Sequence, residues 1–333
     1  MITKLKQHPF LLGMIFLIAL LQACNSTESV TGESDSTASA DSIPNVLNVG
    51  YIGTSEYNLP ANALGWGIEK GIIQEELKKY GITEINLTGF PNGPDLNESL
   101  ISGRLDIGNL GDTPAILAKA SGAKTRLIAQ PSTHSIGYLI GKKDGVTSVK
   151  ELEGKTIAIQ KGSFMHRYVA GLFAQEGVKE YSFVHMLTPD AEAALARGEV
   201  DAMANSGVRA IKQLEQGFVH LDDALSHPEL IGSSLTVVSE DYLAKSPEIA
   251  KIWNDAIKKS LDDLKQHEEE YYELMAKISN STPELVKKTA PIEWLETEPF
   301  TDEGIELLKG TKEFLINEKL AQKDFDIEEW ILK

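Results

Sequence analysis

The chain has one cysteine, Cys24, in 333 residues. A single thiol excludes any disulfide within the chain and any zinc site built on several thiolates, which leaves His, Asp and Glu as possible metal ligands. Positive charge is also scarce: 32 Lys and Arg stand against 49 Asp and Glu, for a formal charge of −17. Such a balance excludes nucleic acid as the main partner, because a phosphate backbone needs a basic face. A small anion is not excluded, since the local field of a pocket can differ from the global charge. Membrane-spanning runs are lacking as well, and the apolar stretch 10–21 is too short for a comfortable span. There is no Gly-x-Ser-x-Gly elbow, no dinucleotide fingerprint and no Gly-x-x-x-x-Gly-Lys loop. His134, His185, His220 and His227 are scattered without carboxylates at metal-ligand spacing. No catalytic group, metal or cofactor is expected on these grounds.

What is present begins with a targeting segment. Lys4 and Lys6 precede the apolar run, and Leu21-Gln22-Ala23-Cys24 follows it. A short basic start and a short apolar core make a signal peptide. The Leu-x-Ala-Cys ending resembles a bacterial lipoprotein box, which implies cleavage after residue 23 and a lipid on Cys24. Residues 24–44 are rich in Ser, Thr, Asp, Glu and Gly. They hold too few apolar groups to offset the entropy of ordering, so a disordered tether is expected.

The body alternates strand and helix patterns, which predicts an α/β fold with mostly parallel sheets. Strands are expected at 46–52, 84–90, 105–110 and 125–130, with helices at 62–70, 73–80, 93–102 and from Pro114. A second series follows: strands at 136–141, 156–160, 182–185 and 200–204, a polar helical stretch at 144–153, and helices at 164–175 and 191–197. Gly103-Arg104-Leu105-Asp106-Ile107 and Gly198-Glu199-Val200-Asp201-Ala202 are alike in character, as two lobes of related build would require. Short strands at 218–221 and 234–238 could carry the chain back between lobes. From Ser239 the pattern is helical, with Ser246-Pro247 as one helix start and Ser281 or Thr282 capping another. Lobe 1 is thus expected at 45–134 plus 235–333, lobe 2 at 135–234, with crossings near 131–136 and 232–235.

Strand ends that open into helices are candidate anion sites, because free N–H groups and the helix dipole point there. The first is Gly111, Asp112 and Thr113, where Asp112 or Thr113 can cap the helix that Pro114 begins. The second is Lys161, Gly162 and Ser163, with His166 one turn further on. Thr54 and Ser55 follow the first strand and offer hydroxyls. Asn205 and Ser206 follow the 200–204 strand, and Arg209 would suit a bidentate grip on an oxyanion. Plain helix caps and surface loops would use the same residues.

Taken in order, several pieces resemble the substrate-binding proteins of ABC importers, above all the aliphatic sulfonate branch related to taurine and nitrate binders. They are Phe90-Pro91-x-Gly93-Pro94, Gly108-x-x-Gly111-Asp112-x-Pro114 and Gln160-Lys161-Gly162-Ser163-x-x-His166. Leu187-Thr188-Pro189-x-Ala191-x-Ala193-Ala194, Gly198-x-Val200-Asp201-Ala202 and Phe325-Asp326-Ile327 also match. The resemblance implies a type II periplasmic-binding-protein-like fold, with two α/β lobes around a ligand cleft and a helical C-terminal tail. Loops at Thr54, Ser55, Gly111 and Asp112 would form one jaw, and Gly162, Ser163 and His166 the other. It further implies a monomeric lipid-anchored protein outside the cytoplasm, handing a small organic anion to a permease. Similar proteins carry tryptophan where this chain has Met203 and Ser206, so a smaller, more polar ligand wall is expected. A nitrate or thiamine-pyrimidine ligand, or an enzyme of the same fold, are the alternatives.

Overall fold

The computed structural model describes residues 43–332. The expected signal peptide, Cys24 and the tether up to residue 42 lie outside the described residues. In chain order the first part runs β1 (Val46–Ile52), α1 (Ala63–Glu69), α2 (Ile72–Lys78), β2 (Glu84–Phe90), α3 (Gly93–Ile101), β3 (Ile107–Gly111), α4 (Asp112–Ala120) and β4 (Thr125–Ser135). Then come β5 (Gly137–Gly141), β6 (Lys155–Ile159), α5 (Phe164–Glu176), β7 (Tyr181–His185), α6 (Thr188–Arg197), β8 (Ala202–Ser206), α7 (Gly207–Glu215), β9 (Val219–Asp223) and β10 (Gly232–Ser239). The tail holds α8 (Glu240–Lys245), α9 (Ile249–Leu264), α10 (Glu268–Ile278), α11 (Pro283–Thr289), α12 (Asp302–Asn317) and α13 (Ile327–Trp330).

Two five-stranded sheets result, ordered β2-β1-β3-β10-β4 and β7-β6-β8-β5-β9. In each, four strands point the same way and the strand in fourth place runs antiparallel to both its neighbours. The two orders are the same pattern used twice. The strand that crosses from the other lobe enters at the fourth place each time: β5 follows β4 into the second sheet, and β10 follows β9 into the first. The crossings themselves are bound together, since Gly232 pairs with Ser135 and Ser234 with Ser132. Of the two short strands expected to carry the chain back, only β10 does so, and β9 is an edge strand of the second sheet.

Alternation puts Leu47, Val49 and Tyr51 of β1 in the core at 0–1% exposure. Apolar clusters cover both faces of each sheet, and a fifth joins α1 to the tail helices α9, α10 and α11. Close packing of α3 on the first sheet depends on glycine: a Cβ at Gly108 would lie 2.6 Å from Leu100 Cδ1 and 2.8 Å from Leu96 Cδ2. Trp66 is a core residue, its Nε1 donating to Asp263 Oδ1 at 2.7 Å. Thr282 caps α11 by accepting from the Leu285 N–H.

Four local expectations need correction. No loop separates β3 from α4: Gly111 ends the strand and is the N-cap of the helix, without a side-chain cap. The Asp112 carboxylate is engaged elsewhere, as described below. Ser246 does not start a helix. It is fully buried, and its N–H closes α8 on Tyr242 O, so α9 begins at Ile249. Within 144–153 only a 3₁₀ turn forms, Val149–Leu152, held by a Ser148–Glu151 capping box. Finally, β4 runs five residues beyond its expected end, because β10 pairs with it as far as Ser135.

Candidate functional site

The N-terminal turns of α3, α4 and α5 are packed together. A Cβ on Gly93 would lie 2.4 Å from Pro114 Cγ, so glycine is needed where α3 meets α4. A Cβ on Gly162, which holds φ +80°, would lie 3.4 Å from Pro94 Cγ, so the 161–163 loop runs close to the start of α3. Here the two lobes touch. Arg167, on the first turn of α5, reaches across to Asp112 and Thr113 on the first turn of α4. At a second place α7 of the second lobe meets the tail, where the Lys212 ammonium donates to Asn280 O.

Between these contacts lies a cavity of about 180 Å³, lined by His134, Ser135, Ile136, Tyr138, Phe164, Ser206, Gly207 and Thr289. The crossing strand β4 forms its floor, and the first residues of α5 and α7 form its wall. His134 stacks on Trp294, with ring centroids 5.1 Å apart and planes 14° apart. Ser206 is the N-cap of α7 but makes no side-chain cap, and Gly207 holds φ +55°. No Lys or Arg lines this cavity. Burial, together with the nearby Asp223 charge, raises the Tyr138 hydroxyl above its ordinary pKa, so it is neutral and available as a donor.

The residues expected at the site divide into several groups. Thr54 is exposed and Ser55 half-buried, both in the loop after β1, and Ser55 Oγ reaches Leu59 O at 3.5 Å. Asp112 is wholly buried and its carboxylate is saturated. Oδ1 accepts from the Thr113 N–H and hydroxyl, while Oδ2 accepts from the Ser233 N–H at 2.9 Å, the Ser233 hydroxyl and Arg167. Thr113 Oγ1 accepts from Arg167 Nε at 3.3 Å. Neither Asp112 nor Thr113 is a cap, and neither is free to meet a ligand.

Lys161 is exposed, and its N–H donates to His185 Nδ1. The Ser163 hydroxyl donates to Gln160 O at 2.7 Å and accepts from the His166 N–H, as the N-cap of α5. His166 Nδ1 accepts from the Gly162 N–H at 3.2 Å, so this ring turns back on its own loop. Burial, and then the Lys161 charge, hold its pKa below the ordinary 6.5.

Asn205 is buried: its amide donates to Gln213 Oε1 at 2.5 Å and to Glu192 Oε1, and its Oδ1 accepts from the Ser206 N–H. Arg209 is an exposed partner of Glu192 at 2.9 Å, not an oxyanion grip. Met203 belongs to the core of the second lobe, with its sulfur accepting from Gln213 Nε2. Of the two positions that depart from the tryptophan pattern, only Ser206 faces the cavity.

His134, Tyr138, Phe164 and Thr289 come from four segments that the fold alone brings together, so no local motif marks them. Arg167 carried no sequence signal of its own, since it lies in Met165-His166-Arg167-Tyr168-Val169 and its partners Asp112 and Ile231 are 55 and 64 residues away. Among the described residues no cluster of His, Cys, Asp and Glu could hold a metal, and no helix is long and apolar enough to cross a membrane.

The sequence pattern described as NMT1/THI5 like matches residues 78–271. An Escherichia coli (strain K12) protein named as an aliphatic sulfonates-binding protein is 30% identical over 217 residues, 64% of this chain and 63% of its own length. The chain therefore spans somewhat under two thirds of that relative. The taurine-binding periplasmic protein of the same organism is 27% identical, over 57% of this chain and 58% of its own. Among solved structures, the alkanesulfonate-binding protein of Xanthomonas axonopodis pv. citri, bound to MOPS, superposes with a TM-score of 0.71 at 21% identity. That likeness covers 87% of this chain and 98% of the other, and it is one of fold: two α/β lobes of the periplasmic-binding-protein type.

Proposed function

The chain belongs to the NMT1/THI5-like family, and from that premise we propose that it is the solute-binding protein of an ABC importer, working outside the cytoplasm. Its ligand is a small organic anion of the sulfonate or taurine type. The observation that carries this reading is the interlobe cavity, with hydroxyls from Ser135, Tyr138 and Ser206 around the starts of α5 and α7. Hydroxyls and helix dipoles suit a singly charged, weakly basic oxyanion, which needs several donors but no full counter-charge. The names of the relatives support the same ligand class.

The finer parts of the reading rest on the N-terminal sequence. Leu21 to Cys24 supplies a lipid anchor, the following polar residues a tether, and the body a monomeric carrier that meets the permease at the membrane. We read the protein as a binder and not an enzyme, so a bound compound should be recovered chemically unchanged.

Titration calorimetry against hexanesulfonate, taurine, MOPS, nitrate and an aminopyrimidine tests the proposal. Saturable binding of one or more sulfonates is expected, with the ligand intact by mass spectrometry after prolonged incubation. Binding of the aminopyrimidine alone, or release of sulfite from a sulfonate, would overturn it.

A further inference from the structure

Arg167 is 1% exposed and Asp112 is 0% exposed, whereas every other ion pair found among the described residues keeps at least partial exposure. The guanidinium is held from the second-lobe side by two carbonyls, Ile231 O at 2.8 Å and Glu229 O at 3.3 Å. From there it reaches the first turn of α4, donating to Thr113 Oγ1 at 3.3 Å and to Asp112 Oδ2 at 3.5 Å. Asp112 is in turn tied to Ser233 at the start of the returning strand β10.

Two features set this arrangement apart from ordinary structural packing. A cation on the first turn of a helix has the wrong sign for the helix dipole, so Arg167 gains nothing from α5 itself. A buried ion pair also adds little net stability over an apolar pair of the same shape, because both ions lose their water. What the pair does supply is geometry: five donors in a rigid fork fix where α5 stands relative to α4.

We propose that Arg167 is a positioning residue for the cleft, which pins the first turn of α5 to that of α4 beside the crossing strand and so fixes the relation of the two helix starts, that of α5 bordering the cavity.

Nitroxide labels on cysteines at Lys78 and Lys179, exposed sites of the first and second lobes, would read the interlobe distance in a Cys24→Ser background. The protein is unfolded and refolded beforehand to remove any bound compound. Arg167→Met alone leaves a buried carboxylate unpaired and could unfold the chain, so the decisive variant is Asp112→Asn/Arg167→Met, which removes both charges. A single narrow distance is expected for the parent. The double variant should melt cooperatively and show a second, separate population. Arg167→Lys, which cannot reach four acceptors at once, should fall between them. An unchanged distance distribution in a cooperatively folded double variant would overturn the proposal, as would a broad distribution in the parent. A lowered melting temperature with the parent's distances would mark the pair as packing only.

Discussion

At the scale of single residues, His166 accepts the Gly162 N–H through Nδ1 and sets its ring edge-on to Phe183 at 5.5 Å. Protonation at Nδ1 would break that bond, and burial already disfavours the charged form. The folded pKa lies below the unfolded one, so the contribution of His166 to stability is complete above about 6.5 and fades as pH falls through its folded value. A proton NMR titration should place the His166 midpoint below that of a peptide histidine. A midpoint at or above it would mean the ring is not engaged with the loop. Ser163 is the second residue whose role the structure redirects. Its hydroxyl is occupied by Gln160 O and the His166 N–H, so Ser163→Ala should cost about 1 kcal/mol of folding stability as a lost cap. Denaturant unfolding beside calorimetry separates the two roles: a tenfold loss of sulfonate affinity with unchanged stability would return Ser163 to the ligand.

Elements carry their own tests. α1 lies against the loop that follows β1, and Gly65 is where they meet: an added Cβ would fall 1.9 Å from the carbonyl oxygen of Pro60. In an ordinary helix, Gly→Ala would gain roughly 0.5–1 kcal/mol. Here the methyl meets backbone, and Gly65→Ala should instead cost about 1–3 kcal/mol by overpacking, measured by urea unfolding. Much at this scale was legible in the sequence. Strands such as β1 alternate, and Thr282, expected as a cap, does cap α11. The failures share a cause. Ser246-Pro247 has the signature of a helix start, yet burial of Ser246 binds it to the preceding turn. Asp112 has the signature of a cap, yet its partners Ser233 and Arg167 stand 121 and 55 residues away. Local pattern cannot register a partner that only the fold brings near. The cavity was illegible for the same reason, since its lining spans His134 to Thr289.

For the whole molecule, the described residues form two α/β lobes. If Cys24 carries a lipid, Cys24→Ala should move the protein from the membrane to the soluble fraction and leave sulfonate titration unchanged. Persistence in the membrane fraction would point to an uncleaved anchor instead. The strand exchange between sheets bears on how such a chain reaches its place. The second sheet is complete within 137–223, but the first is not: β4 has no bond to β3, and only β10, at 232–239, joins them. Until the last third of the chain has emerged, the first lobe is three strands with an open edge and a fourth left unattached. Non-local pairing of this kind delays closure of the core. If the chain is exported as proposed, that delay serves it, because the leading lobe cannot lock while the rest still has to pass through a pore.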